Sequence, residues 1–377
     1  AARYKSEGKD IIGLAAGEPD FDTPQHIKDA AKKAIDNGFT KYTPVSGIPS
    51  LKKAIIEKFK RDNNLEYGLN EVIVGVGGKQ CVFNFCLAVL NSGDEVIIPA
   101  PYWVSYADIA LVSDAKPIIV ECGIEQKFKM TASQLEKVIT PKTKLVILNS
   151  PSNPTGAVYS KEELTSLADV LIKHPNILIG TDDMYEHVKL KDMPFYNILN
   201  VNPALKDRCV VMNGVSKAYS MTGWRIGYAA GPSYIIKAME ILQSQSTSNP
   251  TSISQVAAEA ALSGDQACMD PMIKAFRERH AFVVKSFNEI PGLSCIEAEG
   301  AFYAFPDARK AIEHLFNQKV LKEKTDLALA DYLLEKEGVA VVPGSAFGSD
   351  GYFRISFATS MENLIEAMKR IKRALSV

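Results

Sequence analysis

The chain has 377 residues, 46% of them hydrophobic and 23% charged, with 43 Lys plus Arg against 44 Asp plus Glu. That length is too great for one small compact unit, and the balance is the one expected of a soluble globular enzyme. A net charge of −1 gives no support to a nucleic-acid partner, and no apolar run approaches the roughly 20 residues that cross a bilayer.

From the first residues onward, AARYKSEGKD carries neither the apolar stretch nor the cleavage site of a signal peptide. Strands are predicted at 71–76, 95–99, 116–120, 144–148, 177–181, 209–213 and 226–229. Helical patterns lie between several of them, as at 79–90 and 161–173. Near-continuous apolar strands separated by helices predict an α/β fold with a mainly parallel sheet covered on both faces. From about residue 291 the rhythm changes. A strand-like GAFYAF, a helix over 325–337, the strand VAVVP, the strand YFRISFA and a last helix over 361–375 predict a smaller α+β domain. Six scattered cysteines without a CxxC pair fit a reduced, cytoplasmic chain. Five dispersed histidines without HExxH spacing argue against a metal site.

Several segments carry residues suited to chemistry. In EVIVGVGGKQ, Gly77 and Gly78 let backbone amides approach an anion at a helix N-terminus; a plain tight turn is the simpler alternative. A dinucleotide fingerprint would need glycine at position 80, where Gln80 stands. In PYWVSY, Trp103 offers a flat face to a heteroaromatic ring. In NSPSNPTG, Asn153 sits in a turn where its amide can meet a ligand oxygen, although such turns are common without one. In ILIGTDDMYEHV, a buried strand ends in Asp182 and Asp183. A carboxylate there faces the region where open α/β sheets place ligands and can hold a pyridinium nitrogen protonated; a helix-capping aspartate is the alternative. Tyr185 follows within hydrogen-bonding reach.

Lys217 lies just beyond a buried strand in VVMNGVSKAYSMTGWRIGYAAG. Most lysines are solvated surface charges, but one near a buried strand end is costly unless its amine is neutral or covalently used. Ser216 and Arg225 flank it with a hydroxyl and a guanidinium, a pairing suited to phosphate. Arg354 interrupts the apolar YFRISFA, and a buried guanidinium needs a carboxylate, either a structural one or a substrate's.

Together, GEPDF at 17–21, KYTPVSG at 41–47, VGGKQ at 76–80, PYWVSY at 101–106, SPSNPTG at 150–156, TDDMYEH at 181–187, SKAYSMTGWRIGY at 216–228 and YFRIS at 352–356 carry a resemblance. Over almost its whole length the chain resembles the class I, fold-type I pyridoxal 5'-phosphate (PLP) aminotransferases, and within them the bacterial aspartate aminotransferases of the 1-beta kind. The resemblance implies a large PLP-binding domain over 39–290 and a small domain formed by 1–38 and 291–377. It implies that Lys217 forms the Schiff base and carries the proton. Asp182 would pair with the pyridine nitrogen, Tyr185 and Asn153 with the 3'-oxygen, and Trp103 would stack on the ring. Ser216, Arg225, Gly77, Gly78 and Lys79 would hold the phosphate, joined by Tyr42 from the neighbouring subunit of a homodimer. Arg354 would clamp the substrate α-carboxylate with Gly17 closing over it, and Lys79, Trp103 and Asn153 would line the substrate pocket, Lys79 against a distal carboxylate. Members of the family usually carry a further arm ahead of GKDII that embraces the partner subunit. Aspartate, glutamate and their 2-oxo acids are the expected substrates, and some similar enzymes also transaminate prephenate. Other readings on the same fold are an aminotransferase for alanine, kynurenine or aromatic acids, or a C–S lyase. A non-catalytic PLP-fold sensor would want an appended DNA-binding helix-turn-helix, which this sequence lacks.

Overall fold

A computed structural model describes residues 2–376. The strands are, in chain order, β1 (Ile12–Gly13), β2 (Val72–Gly75), β3 (Glu95–Ala100), β4 (Lys116–Glu121), β5 (Thr143–Asn149), β6 (Leu178–Asp182), β7 (Cys209–Gly214), β8 (Gly227–Ala230), β9 (Tyr303–Ala304), β10 (Val339–Ala340), β11 (Val342–Pro343) and β12 (Phe353–Ser356). Seven of them form one sheet in the order β2-β8-β7-β6-β5-β3-β4. Only β8 runs antiparallel to its neighbours within it.

Two-residue alternation decides how this sheet is buried. Val72, Val74, Ile97, Val146, Leu148, Ile179 and Val211 face one apolar core. Ile73, Val96, Ile98, Leu145, Ile147, Leu178, Val210 and Met212 face another on the opposite side. Because both faces are dry, the strands read as continuous apolar runs rather than alternating ones. Helices Pro49–Asn63 and Ser252–Ser263 pack on the first side; Gly77–Val89 and Ser233–Ser244 pack on the second. The seven strands fall where the sequence predicts them, each within two residues at either end.

A separate apolar cluster unites Ile12 and Leu14 with residues from Met272 to Leu375, and it is rich in aromatic rings such as Phe276, Phe302 and Phe357. Here the predictions need correction. VAVVP is two short strands, because β10 pairs with β1 while β11 pairs with β12, so the chain changes partners at Val341. In GAFYAF the strand is only Tyr303 and Ala304, antiparallel with Ser356 and Ile355, while Gly300 makes a single bridge to Lys189. The terminal helix spans Met361–Leu375 as predicted.

Candidate active site

The parallel strands end side by side, and their carboxyl ends open into a cavity of about 370 Å³. Asn149 closes β5 and Asp182 closes β6, while Ser216 and Lys217 lie just past β7. These side chains reach one space because every strand stops at the same level of the sheet. Gly17, Gly78, Lys79, Trp103, Asn153, Tyr185, Arg225 and Arg354 line the same cavity. Gly77 stands directly behind it, and Tyr42 lies on the outer surface, 92% exposed.

At one end, the helix Gly77–Val89 begins with amides that no preceding turn satisfies. Gly77 adopts φ 79°, and a Cβ there would meet the Arg225 guanidinium at 2.3 Å. A Cβ on Gly227 would meet the Gly78 nitrogen at 2.3 Å. The cradle therefore exists only because both positions lack side chains. Arg225, itself at φ 58°, donates through Nη1 to the Thr222 carbonyl at 2.8 Å and remains exposed. Free amides at a helix start, the Ser216 hydroxyl and this guanidinium form a donor set suited to a phosphate dianion.

The Asp182 carboxylate accepts from Tyr106 Oη at 2.6 Å and from the Met184 amide at 3.2 Å. Burial raises its pKa above the usual carboxylate range, opposed by those two hydrogen bonds and by Lys217. Asp183 turns away from the cavity and accepts from Asn197 Nδ2 at 2.8 Å. Tyr185 Oη shares a hydrogen bond of 2.6 Å with Tyr303 Oη, and burial holds its pKa well above the usual phenol range. Trp103 stands edge-on to Tyr106, ring centroids 5.3 Å apart, with Lys79 Nζ 5.1 Å from its ring centre.

Lys217 sits between these groups. Its Nζ donates to the Gly17 carbonyl. Its pKa falls to about 8, first through burial and then through the positive charges of Arg354 and Arg225. Arg354 is 6% exposed, sandwiched between the rings of Tyr303 at 4.4 Å and Phe347 at 5.0 Å. Nη1 donates to Asn153 Oδ1 and Nη2 to the Ala15 carbonyl, each at 2.8 Å. Its Nε is buried without a partner, and among the described residues no carboxylate pairs with the guanidinium. The structural-carboxylate alternative for Arg354 thus falls away.

Tyr106, Asn149, Met184, Tyr303 and Phe347 also line the cavity and were assigned no role from sequence. Tyr106 stands three residues after Trp103 in PYWVSY, and that helical spacing is a signal that could have found it. Tyr303 is the one polar ring in GAFYAF. Asn149, Met184 and Phe347 carry no comparable signal.

Residues 9–371 match the family described as aminotransferase class I and II. The chain is 63% identical over 376 residues to the aspartate/prephenate aminotransferase of Nitrosomonas europaea, covering 100% of this chain and 95% of that protein. It is 54% identical over 372 residues to the enzyme of the same name from Cereibacter sphaeroides, covering 99% and 93%. The crystal structure of the aspartate aminotransferase from Rhizobium meliloti superposes with a TM-score of 0.94 at 49% identity, covering 100% of this chain and 94% of that one. The Thermus thermophilus aspartate aminotransferase with maleate gives 0.92 at 40% identity, covering 99% and 94%. With the amine, the phosphate-type cradle and the unpaired guanidinium gathered in one cavity, this chain belongs to the class I and II aminotransferases.

Proposed function

We propose that the protein transfers the amino group between L-aspartate and 2-oxoglutarate, using pyridoxal 5'-phosphate held in the cavity. The observation that carries the reading is Arg354: a buried guanidinium with a free Nε and no carboxylate of its own, facing an amine of lowered pKa. Leaving such a charge unmatched is costly, and a substrate α-carboxylate would match it with a planar fork.

The donor set fits the cofactor. Ser216, Arg225 and the amides of Gly78 and Lys79, with Gly77 behind them, would hold its phosphate. Asp182 would hold its ring nitrogen, Trp103 its face, and Asn153 with Tyr185 its phenolic oxygen. When bound, the cofactor supplies the electron sink that makes the substrate Cα–H acidic. The protein supplies orientation and proton transfer. Lys217, with its pKa lowered to about 8, is neutral in an appreciable fraction of molecules near neutral pH and would take the proton from the substrate Cα.

Lys79 stands at the exposed rim beside Trp103 and would meet the distal carboxylate of a dicarboxylic substrate. Relatives named for aspartate and prephenate, and a neighbour with the dicarboxylate maleate, support that choice. A second copy of the chain would complete each site by bringing Tyr42 to the phosphate, and the exposure of that ring supports this. The proposed division places 39–290 in the cofactor-binding domain and 1–38 with 291–377 in the small one, supported by the cluster joining Ile12 and Leu14 to the C-terminal residues. Among the described residues no helix is long and apolar enough to cross a membrane. Six free cysteines support a reduced, cytoplasmic setting.

A steady-state assay of PLP-loaded protein with aspartate and 2-oxoglutarate, run beside prephenate as acceptor, tests the reading. Glutamate formation with a KM for aspartate that rises about tenfold in Lys79→Ala is expected. Activity confined to monocarboxylic amino acids would overturn the assignment of Lys79.

A further inference from the structure

Behind the cavity wall lies a second buried cluster that the proposed chemistry does not use. Lys58, on the helix Pro49–Asn63, is 0% exposed, and its Nζ meets Glu186 Oε1 in a close ion pair. Glu186 is 3% exposed and accepts two further hydrogen bonds, from Asn63 Nδ2 at 2.6 Å and Asn213 Nδ2 at 2.7 Å. One carboxylate therefore gathers three donors from two separate elements. Each donor is charge-assisted and so stronger than a neutral pair.

Burying such a pair is a poor way to gain stability, because apolar side chains of similar volume serve as well or better. Its position is more informative. The ladder between β6 and β7 ends at Asp182 opposite Met212, followed by one more bond from the Asp183 amide to the Met212 carbonyl. Beyond that point the two segments separate. One turns through Tyr185; the other runs to Ser216 and Lys217. The Glu186–Asn213 hydrogen bond is a side-chain tie across the gap. Asn213 also accepts the Gly214 amide on its Oδ1 at 2.7 Å, and its carbonyl lies 3.8 Å from where a Cβ on Gly78 would stand. The same residue thus touches the segment leading to Lys217 and the floor of the cradle.

We infer that Glu186, clamped by Lys58, Asn63 and Asn213, is a positioning residue that fixes the Asp182–Tyr185 turn relative to the Lys217 segment. The inference rests on the functional reading given above. A carboxylate held from two elements resists sliding of either, and a site tolerates little displacement: even about 1 Å can cost roughly a hundredfold in rate.

The test compares wild type with Lys58→Met/Glu186→Gln. That variant removes both charges together, and the glutamine side chain keeps one oxygen for the two asparagines. The expected result is a folded protein whose kcat falls about tenfold while KM for aspartate stays within about twofold. The pH midpoint of the bound PLP absorbance should also move, by about half a unit, because Lys217, Tyr185 and Asp182 set it together. A folded variant with wild-type kcat and midpoint would overturn the positioning role. Should the double variant fail to fold, Asn213→Ser decides alone: it cuts the tie from Glu186 to β7, together with the local bond from the Gly214 amide, and an unchanged midpoint there overturns the inference equally. Wild-type protein that binds no PLP would instead overturn the functional reading, so the two failures are distinguishable.

Discussion

Lys58 is fully buried and Lys217 part-buried at the cavity, and their surroundings are opposite. Around Lys58 every charge is answered: Glu186 takes the ammonium, and two asparagines fill the remaining lone pairs. Around Lys217 the positive charges are only partly answered, by Glu18 and Asp182. Its amine rests on a backbone carbonyl, two guanidiniums push its pKa down, and the nearby Arg354 keeps a buried nitrogen without a partner. The matched cluster is built to stay as it is. The unmatched cavity is suited to receive an anion and a cofactor, and its excess of positive charge distinguishes it: four cationic side chains, Lys79, Lys217, Arg225 and Arg354, line it with the single carboxylate of Asp182.

The largest effect should come from removing the unmatched charge. Arg354→Leu is expected to lower kcat/KM for aspartate by about a thousandfold, mostly through KM. Arg354→Lys should recover little, because an ammonium cannot present the paired donors. Steady-state kinetics decides, and near-normal kcat/KM in either variant would erase the contrast between the regions.

Next comes breaking the matched pair on one side only. Lys58→Met leaves a buried carboxylate alone and should destabilise the fold by about 3 kcal/mol. Denaturant melting should then find the double variant Lys58→Met/Glu186→Gln clearly more stable than the single one. Equal losses in both would mean that the two charges do not compensate one another.

The smallest effect has the opposite sign. In cofactor-free protein, Lys217→Met should stabilise the fold by on the order of 2 kcal/mol at neutral pH. Burial disfavours the charged amine, so the folded protein binds its proton less tightly than the unfolded chain. The gain should be full below about pH 8 and fade as pH rises toward the ordinary lysine value of 10.5. Melting curves measured across that window check it, and a gain that grows with pH would show the sign to be wrong.

This contrast also explains what could be read from sequence. The strands were legible because a sheet dry on both faces needs uninterrupted apolar runs, as in Lys144–Leu148 and Cys209–Asn213. Lys217, Asp182, Asn153, Arg225 and Arg354, which the fold gathers around one cavity, stand out in sequence because each lies near a strand end or inside an apolar strand, where a polar group demands a reason. Lys58 and Glu186 gave no such sign. They lie 128 residues apart, and each alone resembles a surface charge on a helix or turn. Pairing across that distance leaves no trace in a single sequence. The split of VAVVP was hidden for a related reason: the change of partner at Val341 depends on β1, whose two residues are too few to register as a strand.

That short strand has a consequence in time. Ile12 pairs with Val339 and Gly13 with Ala340, so this segment waits for a partner made over 300 residues later. At roughly 5–20 residues per second the ribosome needs on the order of half a minute to supply it. Until then Ile12 and Leu14, buried in the finished fold, lack most of the cluster that covers them. The segment around β1 is therefore among the last parts of the small-domain cluster that can find a place.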